Sequence, residues 1–511
     1  MKKIAIVDLG SNSIHMNIMR INEHGGYSVF DSAKETVRLS EGLQQDGILK
    51  KDPMDRAIKA LRYFKRLAEV AEVVEIHVIA TAAVRMAKNK EIFIGRVKEE
   101  VGFELKIVSG RSEAYYDYLA VVNSIEVEDC VIIDIGGAST EIVLVINRKL
   151  EESVSLPFGS VTLTEKFSGT ESKKNRVKAA CKHVRNQMDA IPWKSRLKGL
   201  RIIGLGGTIR AIGKIDRSFN KYPIKNMHNY RMVHSELERV FSLVFKKEDE
   251  ELRYVEGLES RRAEVIALGM VPLRVLVGYT GAMGISISGQ GLRDGFFYES
   301  FFKASGEPIV VDDVLRHSCD NTMKRFNVNP VHSEQVKFIS LRLFDLFKDF
   351  HSFDSNDRKV LEIASVFHDA GMHIEYYDHH IHGMYLLIYG KINGLTNHEH
   401  LKVAFLVGNH RESSVKAKMK EYSTLFSKKD IKSILKLSIF LKMAEQLDRS
   451  LNSLIKDIKI RIEGRKAVIE IYGDEEPLLE IEAANKYRGL FYKSFSLSYE
   501  IQYMGGMKQA K

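Results

Sequence analysis

Val7-Asp8-Leu9-Gly10-Ser11-Asn12-Ser13 and Ile133-Asp134-Ile135-Gly136-Gly137-Ala138-Ser139-Thr140-Glu141 are two versions of one pattern. In each, a β-branched strand ends in an aspartate. A glycine and hydroxyl residues follow, and then another apolar strand. Asp8 and Asp134 lie 126 residues apart, about the length of one domain. Two similar α/β units facing across a cleft would account for the repetition. A glycine after a buried strand permits a tight turn whose amides converge on one spot, and Ser or Thr hydroxyls add donors. Such a turn suits phosphate oxygens, which only accept. The aspartate at the strand end can hold Mg²⁺, which prefers hard oxygen ligands. A third cluster, Gly204-Leu205-Gly206-Gly207-Thr208, follows the strand Ile202-Ile203 and opens a helix expected over Ile209–Ile215. Its amides would meet anionic oxygen at the helix N-terminus. One such turn alone is most often an ordinary hairpin or strand–helix connection; three in one α/β region carry more weight.

Outward from these turns, Lys3–Val7, Ile76–Ala80, Leu105–Val108, Val131–Ile135, Ile142–Ile146 and Ile202–Leu205 read as buried strands. Pro53–Ala71, Ile92–Val101, Ser112–Asn123 and Lys173–Met188 read as helices. This is an α/β pattern with helix-covered sheets. The turn-forming stretch Lys303-Ala304-Ser305-Gly306-Glu307-Pro308 reads as a linker. From Val311 to about Asn452 the apolar spacing is helical, as in Val336-Ile339-Ser340-Leu343. It then switches to period two in Ile458–Ile462 and Ala467–Ile471, which predicts a strand-rich tail. The expected division is 1–124 and 125–304 for two α/β lobes, 305–452 for a helical domain and 453–511 for a small β-rich domain.

The composition agrees with a multidomain globular chain. Of 511 residues, 44% are hydrophobic and 28% charged, which leaves no room for a mainly disordered protein. The net charge of +10 favours polyanionic partners. Three scattered cysteines, Cys130, Cys181 and Cys319, build neither a disulfide framework nor a thiolate zinc site. The first apolar run, Ile4–Val7, stops at Asp8, too short for a signal peptide. No segment has the ~18–20 unbroken apolar residues that cross a bilayer. A cytoplasmic protein without a membrane partner is expected.

Several segments, in order, resemble the exopolyphosphatase/guanosine pentaphosphate phosphohydrolase (Ppx/GppA) family. They are Asp8–Ser13, Ala80-Thr81-Ala82-Ala83-Val84-Arg85, Val108-Ser109-Gly110-Arg111-Ser112-Glu113-Ala114, Ile133–Glu141, Leu156-Pro157-Phe158-Gly159-Ser160-Val161, Gly204–Thr208 and Gly291-Leu292-Arg293-Asp294-Gly295. The resemblance implies a two-lobed actin-like ATPase (ribonuclease H-like) α/β fold with the active site between the lobes. It implies Mg²⁺-dependent removal of terminal phosphate from inorganic polyphosphate or from guanosine pentaphosphate. A homodimer is expected, and nucleic acid is not an expected partner. Ala138, Ser112 and Thr162 depart from the family's usual glycine, glutamate and basic residue.

Phosphoanhydride hydrolysis needs charge neutralisation, a placed water and a base. Glu113 matches the family's proposed catalytic glutamate and is the expected general base, with Glu141 the second candidate. Asp134 and Glu141 would hold Mg²⁺, with Asp8 the lesser candidate. Arg85 would bind phosphate through its fixed fork of donors. The phosphate cradle is expected from Ser11, Asn12, Ser13, Gly137, Ser139, Thr140, Gly206, Gly207 and Thr208. His15 and Cys130 are expected to be packing residues.

The helical half carries His332, then His368-Asp369, then Asp448. That order resembles HD-type metal phosphohydrolases, and long members of the Ppx/GppA family resemble this chain here too. Imidazole and carboxylate ligands suit Mn, Fe, Zn or Mg, so these four residues are a candidate second divalent-metal site. His379, His380, His382 and His410 are further ligand or anion-contact candidates. A vestigial hydrogen-bonded cluster is the alternative. The basic Lys416–Lys420 and Lys428-Lys429 could guide a polyanion or simply be solvated helix faces. The leading reading is an exopolyphosphatase. The alternatives are a guanosine pentaphosphate 5'-phosphohydrolase (pentaphosphate to tetraphosphate), a non-catalytic nucleotide or polyphosphate sensor, and chemistry centred in the HD-type domain.

Overall fold

The structure, a computed structural model, describes residues 1–169, 172–411 and 415–506. The last five residues of the expected tail lie outside the described residues. The chain divides into two compact units, Met1–Val314 and Leu315–Lys511.

The first unit has two sheets. One holds β1 (Lys2–Leu9), β2 (Ser13–Ile21), β3 (Tyr27–Thr36), β4 (Glu75–Ala80) and β5 (Leu105–Ile107), in the order β3-β2-β1-β4-β5. The other holds β6 (Cys130–Ile135), β7 (Thr140–Ile146), β8 (Lys149–Leu156), β9 (Arg201–Leu205), β10 (Tyr230–Val233) and β11 (Gly284–Ile287), in the order β10-β11-β9-β6-β7-β8. Each begins with an antiparallel meander whose first strand pairs in parallel with the next. The repeated sequence pattern thus becomes a repeated topology, with β10 added at one edge of the second sheet. Register carries the repeat to single residues. Asp8 faces His15 across β1 and β2, and Asp134 faces Glu141 at the matching place in β6 and β7.

The longer helices of this unit are α1 (Lys51–Val70), α2 (Lys90–Val101), α3 (Gly110–Val122), α4 (Lys173–Asp189), α5 (Gly206–Phe219), α6 (His234–Lys246), α7 (Ala263–Gly269), α8 (Val271–Thr280) and α9 (Leu292–Ser305). α1 and α2 cover the outer face of the first sheet through Leu61, Phe64, Phe93 and Val97. α4, α5, α6 and α8 cover the outer face of the second through Val184, Ile212, Phe241 and Leu276. Between the sheets lie α3 and α9, whose Leu119, Val122, Phe297 and Phe302 share one core with Ile4, Ile6, Ile132 and Val143. Strands buried on both faces read as unbroken apolar runs, which is why β1 and β6 are legible in the sequence. β3 is an edge strand with four consecutive exposed residues, and β10 and β11 have four residues each; neither kind gives a periodic signal. Ser260–Thr280 is long and apolar enough to cross a membrane by length and composition, but 72% of its apolar window is buried in this unit.

The expected linker at Lys303–Pro308 has a different form. Lys303–Ser305 finish α9, and Gly306 caps it in the left-handed conformation at φ 72°. The chain then stays in the first unit, with Val311 and Val314 buried in the inter-sheet core. The second unit holds α10 (Val314–Phe326) from its second residue on, α11 (Pro330–Leu346), α12 (Ser355–Phe367), α13 (His379–Tyr389), α14 (Asn397–Gly408) and α15 (Lys428–Gln446). Its end is mixed rather than mainly β. The antiparallel pair β12 (Asp457–Glu463) and β13 (Lys466–Tyr472) is joined in parallel by β14 (Ser498–Tyr503), after the helices α16 (Leu478–Asn485) and α17 (Arg488–Phe495).

Candidate active site

The two aspartate–glycine turns meet in the first unit. In both, the glycine leaves room for a carbonyl three residues on: a Cβ at Gly10 would stand 2.9 Å from Ser13 O, and one at Gly136 would stand 3.1 Å from Ser139 O. A Cβ at Gly137 would lie 2.9 Å from Ser11 Cβ, so the two turns touch. α5 starts directly at the end of β9, with Gly206 at φ +85° and no room for a Cβ, which would be 2.3 Å from Asp134 Oδ1. These turns enclose a cavity of about 160 Å³. Asp8, Ser11, Asn12, Ser13, Asp134, Gly137, Gly206, Gly207 and Thr208 all line it.

The other expected site residues stand elsewhere. Thr140 is fully buried and donates its hydroxyl to the Phe158 carbonyl at 2.7 Å, so it braces the turn after β8 instead of facing the cavity. Ser139 is buried outside the lining and bonds the Glu141 carboxyl. Glu141 also accepts from Ser155 Oγ at 2.7 Å. Arg85 is an ion-pair partner of Glu113 and donates to the Val108 carbonyl at 2.9 Å; its guanidinium holds Glu113 and does not line the cavity. His15 does line the cavity, within 2.8 Å of Ser13 Oγ, and burial and nearby Arg293 and Lys34 keep its imidazole neutral.

Four participants went unread in the sequence. Arg210, Arg262 and Arg293 line the cavity, and among the described residues none of them forms a salt bridge. Arg293 donates to Asn17 Oδ1 at 2.7 Å. Asp117, 1% exposed, lies one turn after Glu113 on α3. A carboxylate at the i+4 position of an otherwise apolar helix face was a readable signal for Asp117. Arg293 lay within a segment already recognised, but nothing local marks Arg262.

Five buried or nearly buried carboxyls therefore converge. Burial, against the pull of Arg293 and Arg210, raises Asp8 to about 6. Burial likewise raises Asp134 to about 6, with Arg210 opposing and Asp8 adding to the rise. Glu113 rises to about 7 through burial, restrained by Arg85. Asp117 and Glu141 are pushed well above the carboxylate range by burial and by the other carboxyls. Asp8 Oδ1, Asp117 Oδ1 and Asp134 Oδ1 are buried without a hydrogen-bond partner. Orphaned acceptors under mutual repulsion fit a divalent cation.

Comparison with known proteins gives a consistent picture. The family model described as Ppx/GppA phosphatase family matches residues 17–304, and that described as Ppx/GppA phosphatase, domain III, matches 314–483. A guanosine-5'-triphosphate,3'-diphosphate pyrophosphatase of Pseudoalteromonas atlantica is 29% identical over 416 residues, covering 80% of this chain and 79% of that protein. The crystal structure of the Aquifex aeolicus Ppx/GppA family member is 28% identical with a TM-score of 0.51, covering 59% of this chain and 98% of that one. An exopolyphosphatase from Cytophaga hutchinsonii shares the fold, at 20% identity and a TM-score of 0.56 over 61% of this chain and 100% of that one.

Proposed function

The chain belongs to the Ppx/GppA phosphatase family of phosphoanhydride hydrolases, with its actin-like ATPase-type fold, and we propose that it removes terminal phosphate from inorganic polyphosphate. One observation carries this reading: three arginines that form no salt bridge among the described residues share a small cavity with the half-buried Asp8 and Asp134, whose Oδ1 atoms are buried without a hydrogen-bond partner. The arginines and the amides of Gly137, Gly206 and Gly207 would take the equatorial oxygens of the phosphate chain, with hydroxyls from Ser11, Ser13 and Thr208. Asp8 and Asp134 would hold Mg²⁺, with Glu141 behind them, and the bound ion supplies charge neutralisation for the phosphoryl group. Glu113 is the better base. Arg85 favours its charged form, whereas burial and then the neighbouring Glu113 and Asp134 push the Glu141 carboxyl well above the usual carboxylate range. Arg85 is then a positioning residue, orienting Glu113 toward the attacking water.

Ile135 and Leu292 are the apolar side chains among the described lining, which favours a substrate made of phosphate alone. The second reading is guanosine pentaphosphate, favoured by relatives named as guanosine-5'-triphosphate,3'-diphosphate pyrophosphatases at 29% and 27% identity over 80% of this chain. Orthophosphate release should be measured from both substrates, with and without Mg²⁺. Faster Mg²⁺-dependent release from polyphosphate supports the first reading, and preference for the nucleotide reverses the order. No release from either would overturn both.

A further inference from the structure

The edge strand β3 extends the wall of the first unit's cavity by one strand. In the β2–β3 ladder Ser13 pairs with Thr36 and His15 with Lys34. Directly paired residues share one face of a sheet, so Lys34 and Thr36 stand on the face from which Ser13 and His15 line the cavity. Electrostatics places Lys34 there independently. Its half-buried ammonium feels Arg262, Arg261 and Arg210, and the imidazole of His15 in turn feels Lys34. Burial first, and then those arginines, push the ammonium down to about 8, with only Glu259 opposing them. The Glu259 carboxylate is already held by Lys214 at 2.8 Å and by Arg261 at 2.7 Å, and among the described residues Lys34 itself forms no salt bridge. Arg261 Nη1 also donates to Thr36 Oγ1 at 3.2 Å, which draws the connection carrying Arg261 and Arg262 against β3. An ammonium crowded by guanidiniums is in an unfavourable field that an anion relieves.

The geometry points to Lys34 as the contact for the next phosphate group of the substrate outside the cavity, so that a phosphate chain leaves the site over β3, past Lys34 and Arg261. This rests on the phosphate-chain reading of the cavity. A space of about 160 Å³ takes the end of such a chain and not its length. Arg210, Arg262 and Arg293 line that space and serve the terminal group, whereas Lys34 stands outside the lining. The groups that follow must emerge where the wall is cationic, and β3 supplies that wall. Lysine suits the task. A point charge on a flexible stem can follow a chain that shifts by one group at each turnover, whereas a guanidinium fork fixes one orientation. Lys34 is therefore a specificity-determining residue, reading the charge behind the terminal phosphate and adding nothing to the binding of a single phosphate group.

The test titrates the full chain carrying Glu113→Gln, which slows turnover, with tripolyphosphate and with orthophosphate in a calorimeter at constant Mg²⁺. In that parent, Lys34→Met should weaken tripolyphosphate by about 10–100-fold, the worth of one hydrogen bond to a charged group, and leave orthophosphate within about 2-fold. Lys34→Arg should restore most of the lost affinity. Lys34→Gln repeats the measurement if the Met variant melts lower than its parent. Equal losses for the two anions would assign Lys34 to the terminal-phosphate site or to the fold, and no loss for tripolyphosphate would take it off the substrate's path; either overturns the proposal. So does a parent that fails to bind tripolyphosphate. Phosphate release by the chain with Glu113 intact separates this subsite from the activity. Tripolyphosphate bound through Lys34 but not hydrolysed would leave the subsite standing and sink the polyphosphate reading, whereas hydrolysis with binding indifferent to Lys34 would sink the subsite alone.

Discussion

Glu113 sits between opposed influences, with burial and the charges of Asp8 and Asp134 raising its carboxyl and Arg85 lowering it. With the proton leaving near pH 7, the basic form grows as pH rises through that value. Turnover under saturating Mg²⁺ should therefore climb between about pH 6 and 8. Glu113→Gln should flatten that climb and lower turnover by ~10²–10⁴-fold, with substrate binding largely kept. A steep pH profile retained by the variant would move the base to Glu141. Asp8 and Asp134 make a second prediction. Raised from 3.8 to about 6, they bind more protons folded than unfolded. Their contribution to stability is full below about pH 4 and is lost as pH rises through about 6, at up to about 1.4 kcal/mol per pH unit and group. The metal-free protein should melt progressively lower across that window, Asp134→Asn should lessen the decline, and Mg²⁺ should reverse it. A decline of equal slope in Asp134→Asn would show that other groups cause it.

At the scale of elements, α3 matters most, because it carries Glu113 and Asp117 between the two sheets. Its position is set by α9, and the contact depends on one missing side chain. A Cβ at Gly295 would stand 1.8 Å from the Tyr116 carbonyl. Gly295→Ala must push the helices apart, an overpacking that typically costs about 1–3 kcal/mol. Melting temperature and turnover should fall together in this variant. Gly306→Ala is the control. It has left-handed φ, +72°, but nothing within 4 Å of its added carbon, so it should lose about 1–2 kcal/mol and leave turnover unchanged. Normal turnover in folded Gly295→Ala would mean that α3 does not set the carboxyl geometry.

At the scale of the whole molecule, the first unit should stand alone if cut in the right place. The Aquifex aeolicus relative matches 59% of this chain, close to the first unit's share of it, and Val311 and Val314 belong to the core of the first unit. Asn123 donates to the Ile309 carbonyl at 2.8 Å and accepts from the Val311 amide at 2.9 Å, and Arg148 bonds the Val311 carbonyl at 2.7 Å. A fragment ending at Val314 should fold and release phosphate from short chains, while one ending at Ser305 should melt lower. On long polyphosphate the Val314 fragment should leave ladders of intermediates that the whole protein does not. Many weak basic contacts raise effective concentration together and weaken as salt shortens the Debye length from ~10 Å at 0.1 M to ~3 Å at 1 M. Equal processivity in the folded fragment, read on gels, would end the idea that the second unit retains the substrate.

Local signals carried much of this protein. Doubly buried strands ending in Asp-Gly-hydroxyl turns are continuous in the chain, so β1, β6, β9 and their turns, and the pairing of two like sheets, could be read directly. The His332, His368-Asp369 and Asp448 pattern is spread over 116 residues and was legible only as a resemblance. What needed the tertiary structure was whatever depends on distant segments meeting. Arg262 reaches the cavity from a connection with no motif of its own. Arg85 faces Glu113 because the ends of β4 and β5 lie side by side. Asp448 faces an imidazole 116 residues away, so its part was decided by the fold and not by its spacing. A sequence displays which groups are available and which backbone turns can hold an anion. Which charges end up paired, and which stay unpaired around a cavity, depends on burial and contact between remote segments, and those exist only in the folded chain.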